Sequence, residues 1–167
     1  MCPKIRIKFA IYLVGFTEAA KQFQVSTRVL DLRRTIVYPD YVASKLDLAP
    51  QEPVWQIERL RMADGEAMTH EQIYLKQKIL PELTAHEAQG SLYRLIEQTI
   101  PIGYANQELE AVVLEKGLSD LLETSPGQPA FLAHTVAYSM DGYPILYDNS
   151  HYRADKYTFH NILQREH

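Results

Sequence analysis

Residues 55–75 read WQIERLRMADGEAMTHEQIYL, from Trp55 to Leu75, and the fold follows from how this stretch doubles back on itself. In an extended chain successive side chains alternate, so Trp55, Ile57, Arg59 and Arg61 share one face and Val54, Gln56, Glu58 and Leu60 the other. Asp64-Gly65 accepts the positive backbone angles of a tight hairpin. A strict two-residue loop would set Arg59 opposite His70 and Ile57 opposite Gln72. An odd number of intervening residues would instead pair Ile57 with Ile73, Trp55 with Leu75 and Arg59 with Glu71. The second register keeps the apolar set on one face, and hydrophobic pattern is what fixes register. It also gives an inward-facing guanidinium the carboxylate it needs, since unpaired buried ions cost several kcal/mol, roughly. The pattern alone leaves open a surface role for both arginines.

Working outward, Ile5 to Val14 alternates as a strand, and charges interrupt any continuous apolar run of the signal-peptide kind. Thr17 to Phe23 reads as a short helix capped by threonine. Val25 to Val37 is extended, and Tyr41 to Leu48 is a helical turn before Pro50. After the central hairpin, helical segments are predicted over Glu82 to Ala88 and Ser91 to Thr99, with Ser91 as amino-terminal cap and Gly90 between them. Gln107 to Leu114 alternates as a strand, and Leu118, Leu121 and Leu122 mark a short helix. A second hairpin pairs Ala130 to Met140 with Tyr143 to Tyr152 through a two-residue Asp141-Gly142 loop. About six strands joined by hairpins, with scattered short helices, predict an α+β domain built on an antiparallel sheet.

The chain has 167 residues, 46% of them hydrophobic, which suits a single domain spanning 1–167. Its net charge of -4, with no basic run, argues against a direct grip on nucleic acid. One cysteine, Cys2, excludes an internal disulfide and a Cys-based metal site, and a reducing cytoplasm is the expected setting. No membrane span is expected. His70, His86, His134, His151 and His160 lack metal-ligand spacing, and there is no nucleophile elbow or phosphate-cradling loop, so neither a metal, a cofactor nor a catalytic residue is assigned. A helix amino terminus at Ser91 with two arginines nearby would suit an anion.

The segments Arg59 to Glu66, Glu71 to Leu75, Ser91-Leu92-Tyr93, Asp141 to Ile145 and Tyr152-Arg153, in that order and spacing, resemble the UTRA domain. This is the effector-binding domain of the HutC-type subfamily of GntR bacterial transcriptional regulators, and the resemblance runs from about Gly15 nearly to the carboxyl end. It implies a chorismate lyase-like fold. It further implies that Arg59 and Arg61 bind the acidic end of a small effector, such as a sugar phosphate, an amino-acid derivative or another small acid. Glu71 would then take the effector's hydroxyl or amino groups, Ser91 and Tyr93 would line the anion end, and Asp148 and Tyr152 would complete the site. Thr17 is a weaker candidate, since Gly15 stands where the family has a serine. Full members carry a winged helix-turn-helix before this domain. Only a strand-like segment of about fourteen residues precedes Gly15, so DNA would be read only through a domain absent from this sequence, which is expected to be either an excised effector domain or a natural stand-alone version. The resemblance also implies a homodimer. The alternative it allows is a lyase-like enzyme on the same fold.

Overall fold

The computed structural model describes residues 4–9 and 20–166, and in these the central hairpin has both features that the sequence set in competition. Strands β3 (Val54–Ala63) and β4 (Glu66–Lys76) are joined by a two-residue turn, with Asp64 at φ 50° and Gly65 at φ 77°. Ala63 opposes Glu66 and Met62 opposes Ala67. Arg61 then opposes Thr69, so Met68 has no partner and forms a bulge. That one extra residue converts the two-residue-loop register into the odd one. Arg59 faces Glu71, Ile57 faces Ile73 and Trp55 faces Leu75, as the hydrophobic pattern predicts.

Six antiparallel strands form the main sheet in the order β2-β3-β4-β7-β6-β5, where β2 is Val25–Thr35, β5 Ile102–Val113, β6 Pro129–Ser139 and β7 Pro144–Arg153. Short helices cover both faces. Helices α2 (Ala85–Ala88) and α3 (Leu92–Glu97) bring Ala88, Leu92 and Ile96 onto Ile57, Ile73 and Leu75. On the opposite face α1 (Asp40–Leu46) packs Val42 and Leu46 against Val54, Tyr74, Val136 and Tyr147. Beside α4 (Lys116–Leu121), Leu114 and Leu122 cover Leu60, Ala67 and Ala130. Trp55, on the α2/α3 face, donates its indole N–H to the Leu80 carbonyl at 2.7 Å, which ties the loop before α2 to the sheet.

Several expected boundaries move. The helix expected from Glu82 starts after Thr84, whose hydroxyl accepts from the Glu87 amide while Glu87 accepts from the Thr84 amide, a reciprocal capping box. The strand expected from Gln107 already begins at Ile102. The second hairpin turns through three residues, Met140, Asp141 and Gly142, because the Ser139 amide donates to the Tyr143 carbonyl and Gly142 takes φ 83°. The two-residue loop is thus corrected: with glycine in the left-handed region at its third position, the connection is the three-residue type. Of the strand expected over Ile5 to Val14, β1 (Ile5–Phe9) is described, and residues 10–14 lie outside the described residues. The expected Thr17 cap and most of its helix also lie outside them, and residues 20–23 form a turn. A final strand, β8 (Tyr157–Asn161), was not expected from the sequence and pairs in parallel with β1.

Candidate functional site

Because antiparallel partners share a face, the register fixes which side chains meet. Arg59, Glu71 and Ser150 lie in one row across β3, β4 and β7. Arg61, Thr69 and Tyr152 form the next row, and Ile57, Ile73 and Asp148 the row on the other side. All three belong to the face covered by α2 and α3. The alternation that makes Ile57 core therefore carries two guanidinium groups, two carboxyls and several hydroxyls into the interior of the same layer. Arg59 and Arg61 are each 3% exposed, which rules out the surface reading.

Glu71 sits between the two arginines. Arg59 Nε donates to Glu71 Oε2 at 2.7 Å, and Arg61 Nη1 stands 3.6 Å from the same oxygen. Burial pushes the Glu71 carboxyl upward, but the two guanidinium charges outweigh it and hold the carboxyl below its ordinary range. Arg59 Nη1 reaches past the carboxylate to the carbonyls of Ala88, at 2.8 Å, and Gly90, at 3.0 Å. These carbonyls lie where α2 ends and the chain turns into α3, among the groups a helix terminus leaves without an internal partner. Arg59 is thus a strut from the sheet to the residue that precedes Ser91.

Ser91 caps α3, its hydroxyl accepting from the Arg94 amide at a long 3.4 Å. Tyr93, half-buried on the same helix, packs against the core cluster of Ile57, Ile73 and Leu75. Asp148 is the unusual member of the group. Its carboxyl accepts from Ser150 Oγ at 2.7 Å. Burial first, and the negative charge of Glu71 second, push its pKa up to about 7 against the relief given by Ser150 and the two arginines. The Tyr152 hydroxyl is likewise pushed well above its ordinary range by burial and by the charges of Asp148 and Glu71. Burial lowers Arg61, while Glu71 opposes that shift.

Of the expected residues, Arg59, Arg61, Glu71, Asp148 and Tyr152 therefore converge on one face, and Ser91 joins them through its neighbour Gly90. Thr17 lies outside the described residues. Three further members went unnoticed in the sequence. Thr69 donates to the Tyr157 hydroxyl at 2.8 Å, and Ser150 supports Asp148. Thr69 is two residues before Glu71, and Ser150 lies between Asp148 and Tyr152 in the alternation, so strand periodicity alone could have found both. Nothing near Tyr157 in the sequence marks it. Among the described residues there is no cluster of His, Cys, Asp or Glu that could hold a metal ion, and no helix long and apolar enough to cross a membrane.

Comparison with known proteins adds to this geometry. The family model described as the UTRA domain matches residues 20–158. The HTH-type transcriptional repressor NagR of Bacillus subtilis is 29% identical over 157 residues, covering 92% of this chain and 64% of the repressor. The mannosyl-D-glycerate transport/metabolism system repressor MngR of Escherichia coli is 27% identical over 166 residues, covering 96% of this chain and 69% of that protein. The chain thus spans about two thirds of the length of these relatives. Among solved structures, the effector domain of PhnF from Mycobacterium smegmatis superposes with a TM-score of 0.84 at 25% identity, covering 95% of this chain and 100% of that one.

Proposed function

The chain belongs to the UTRA domain family, and from that premise we propose that it is the effector-binding domain of a GntR/HutC-type transcriptional regulator. Relatives named as repressors, and a structural neighbour named as an effector domain, support this reading over the lyase-like enzyme alternative. In this reading the ligand is a small anion. The homodimer acts in the cytoplasm, and DNA is contacted through a helix-turn-helix domain.

The observation that carries the proposal is the constellation of buried Arg59, Arg61 and Glu71 with half-buried Asp148 on the same face. A core does not gain stability from such a group, since apolar residues of similar volume serve as well or better. Its cost makes sense where a ligand is read. With Asp148 protonated, two guanidinium charges face a single carboxylate, Glu71, and one negative charge from a ligand would bring the cluster to neutrality. Arg61, Ser91 and Tyr93 are assigned to the anionic end of the ligand, and Asp148 and Tyr152 to its hydroxyl or amino groups. Arg59 and Glu71 act chiefly through each other, with Arg59 holding the Gly90-Ser91 turn in place; to touch the ligand directly Arg59 would have to exchange the carbonyls of Ala88 and Gly90.

Isothermal titration calorimetry against sugar phosphates, amino-acid derivatives and other small acids tests this. Binding of one class, reduced at least tenfold by Arg61→Ala, is the expected result. Binding undiminished by Arg61→Ala and Arg59→Ala together would place the site elsewhere. The regulatory step requires the ligand to bind one arrangement of the subunits more tightly than another.

A further inference from the structure

The face of the sheet turned away from Arg59 and Glu71 carries a polar band between the apolar ground covered by α1 and that covered beside α4. Three histidines lie in it. His70 of β4 and His151 of β7 are directly opposed, with ring centroids 6.4 Å apart. His134 of β6 opposes Asn149, two residues before His151 on the same face. Their place matters, because β4 and β7 join the β2-β3-β4 half of the sheet to the β7-β6-β5 half, and no hairpin closes that join.

The three rings are not equally provided for. His70 Nε2 donates to Glu58 Oε1 at 2.7 Å. His134 has Asn149 Oδ1 at 2.7 Å from Nδ1 and Glu110 Oε2 at 3.4 Å from Nε2. His151 has no carboxylate, and its Nδ1, like that of His70, is buried without a hydrogen-bond partner among the described residues. Arg153, next on this face of β7, adds a positive charge whose own carboxylate is Asp155, at 2.8 Å. Each nearer carboxylate thus already answers another base. Farther out on this face, Glu108 lies on β5 beyond His134, and Arg28 and Asp31 on β2 beyond β3. In the helical layer Lys116 and Asp120 of α4 pair with each other at 3.0 Å, and Asp40 and Lys45 belong to α1 at the far end. Burial, then the neighbouring His70 and His134, hold the His151 imidazole below its ordinary range.

We propose that His151 is an acid-sensitive switch on the join between β4 and β7: neutral, it lets the two halves of the sheet close, and protonated, it repels His70 and His134 and parts them. A proton on His70 or His134 has a carboxylate beside it, whereas a proton on His151 is a half-buried charge with none, the arrangement a folded interior tolerates least. Glu71 and Tyr152 ride on the same two strands and face the other way, so parting the strands takes the anion site apart. The switch itself does not depend on what that site binds. Its sign is opposite to that of Asp148, three residues earlier on the other face of β7, where burial favours the protonated form.

Proton NMR titration of the histidine rings, assigned with His151→Phe, should place the His151 midpoint below the ordinary 6.5, and His70→Phe should raise it by removing a repelling neighbour. The unfolded chain accepts this proton at its ordinary value and the folded chain only at lower pH, so stability falls with pH across that interval. The ratio of the wild-type folding constant to that of His151→Phe, from urea unfolding, should therefore drop about fivefold or more between pH 7 and pH 5. His151→Gln gives the same comparison if the larger ring strains the join. Amide exchange, corrected for its intrinsic pH dependence, should quicken more at bonds between β4 and β7 than at bonds within the β3–β4 and β6–β7 hairpins. A His151 midpoint at or above its ordinary value, a folding-constant ratio constant to within about twofold, or exchange quickened equally throughout the sheet would each overturn the proposal.

Discussion

Arg59 and Glu71 are directly opposed on neighbouring strands, and the Arg59 side chain passes through the carboxylate to two carbonyls of the helical layer. One side chain therefore joins the sheet to the helical layer by polar bonds. Arg59→Ala leaves Glu71 buried with only Arg61 nearby, and should cost about 3–5 kcal/mol in urea unfolding. The paired replacement Arg59→Met with Glu71→Leu should recover little of that loss, because it takes the Glu71 carboxylate away from buried Arg61 as well. A loss under about 1 kcal/mol for Arg59→Ala would mean that the pair is solvated in solution.

Asp148 sets a pH dependence of unusual sign for a carboxyl. Its folded pKa of about 7 lies above the ordinary 3.8, so between these values the folded chain keeps a proton that the unfolded chain has released. Stability contributed by that proton is present at low pH and is lost as pH rises toward and through 7. Glu71 works the other way: its contribution is present above the ordinary carboxylate value and is lost as pH falls through its lowered folded value. Asp148→Asn should accordingly stabilise the protein at pH 8 by an amount of the order of a few kcal/mol, with little effect at pH 4. Parallel slopes of stability against pH from 4 to 8 in wild type and variant would refute this.

Ligand affinity should share that window. A deprotonated Asp148 adds a negative charge beside the anion's binding groups, so the association constant for an anionic effector should fall as pH rises through about 7. In Asp148→Asn the profile should be flat over the same range apart from the ligand's own titration. Calorimetry at several pH values separates the two cases.

Met68 lets a two-residue turn coexist with Arg59 opposite Glu71. Deleting it would remove the bulge yet keep Thr69 opposite Arg61 and Glu71 opposite Arg59, because a regular two-residue hairpin then counts directly into the observed pairing. The deletion variant should still unfold cooperatively, at a cost of about 2–5 kcal/mol for the lost packing of the buried Met68 side chain. Met68→Leu keeps the residue count and buried volume, and should cost less than about 1.5 kcal/mol. A deletion variant without native near-ultraviolet dichroism would show that the bulge itself, and not only the pairing beyond it, holds the hairpin.

Ser91 separates capping from recognition. Its cap bond is long, so Ser91→Ala should cost stability near the low end of the capping range, about 0.5 kcal/mol. If its hydroxyl also meets the anion, affinity should drop by clearly more than that cost predicts. A change in affinity no larger than the change in stability would leave Ser91 as a cap alone.

The parts of this fold that were legible in the sequence are those governed by alternation. Strict periodicity through Ile57, Arg59 and Arg61 and through Glu71, Ile73 and Leu75 fixed the register, and with it the pairing of Arg59 and Glu71. The bulge was hidden because a tight turn and an odd register look mutually exclusive until one residue is allowed to stand unpaired. The capping box at Thr84 and Glu87 was readable, since a threonine followed three residues later by a glutamate is its signature, yet the proline at 81 drew the helix start too early. Strand β8 and the role of Tyr157 were not legible, because both depend on partners far away along the chain. The protonation of Asp148 belongs to the same class: burial sets it, and no neighbour in sequence reveals burial.

The parallel pairing of β1 with β8 has a kinetic consequence. Ile5 opposes Tyr157, so this contact joins residues 152 positions apart, 157 less 5. Closing so long a loop brings its entropic cost late and returns only one short ladder of bonds. The six-stranded sheet, whose β3–β4 and β6–β7 hairpins are local, should therefore assemble first, with β1 docking as a final step and detaching as the first under denaturant. Hydrogen exchange would register this as faster opening at residues 5–9 than at the central hairpin. Tyr157, held by Thr69, would keep β8 in place while β1 comes and goes.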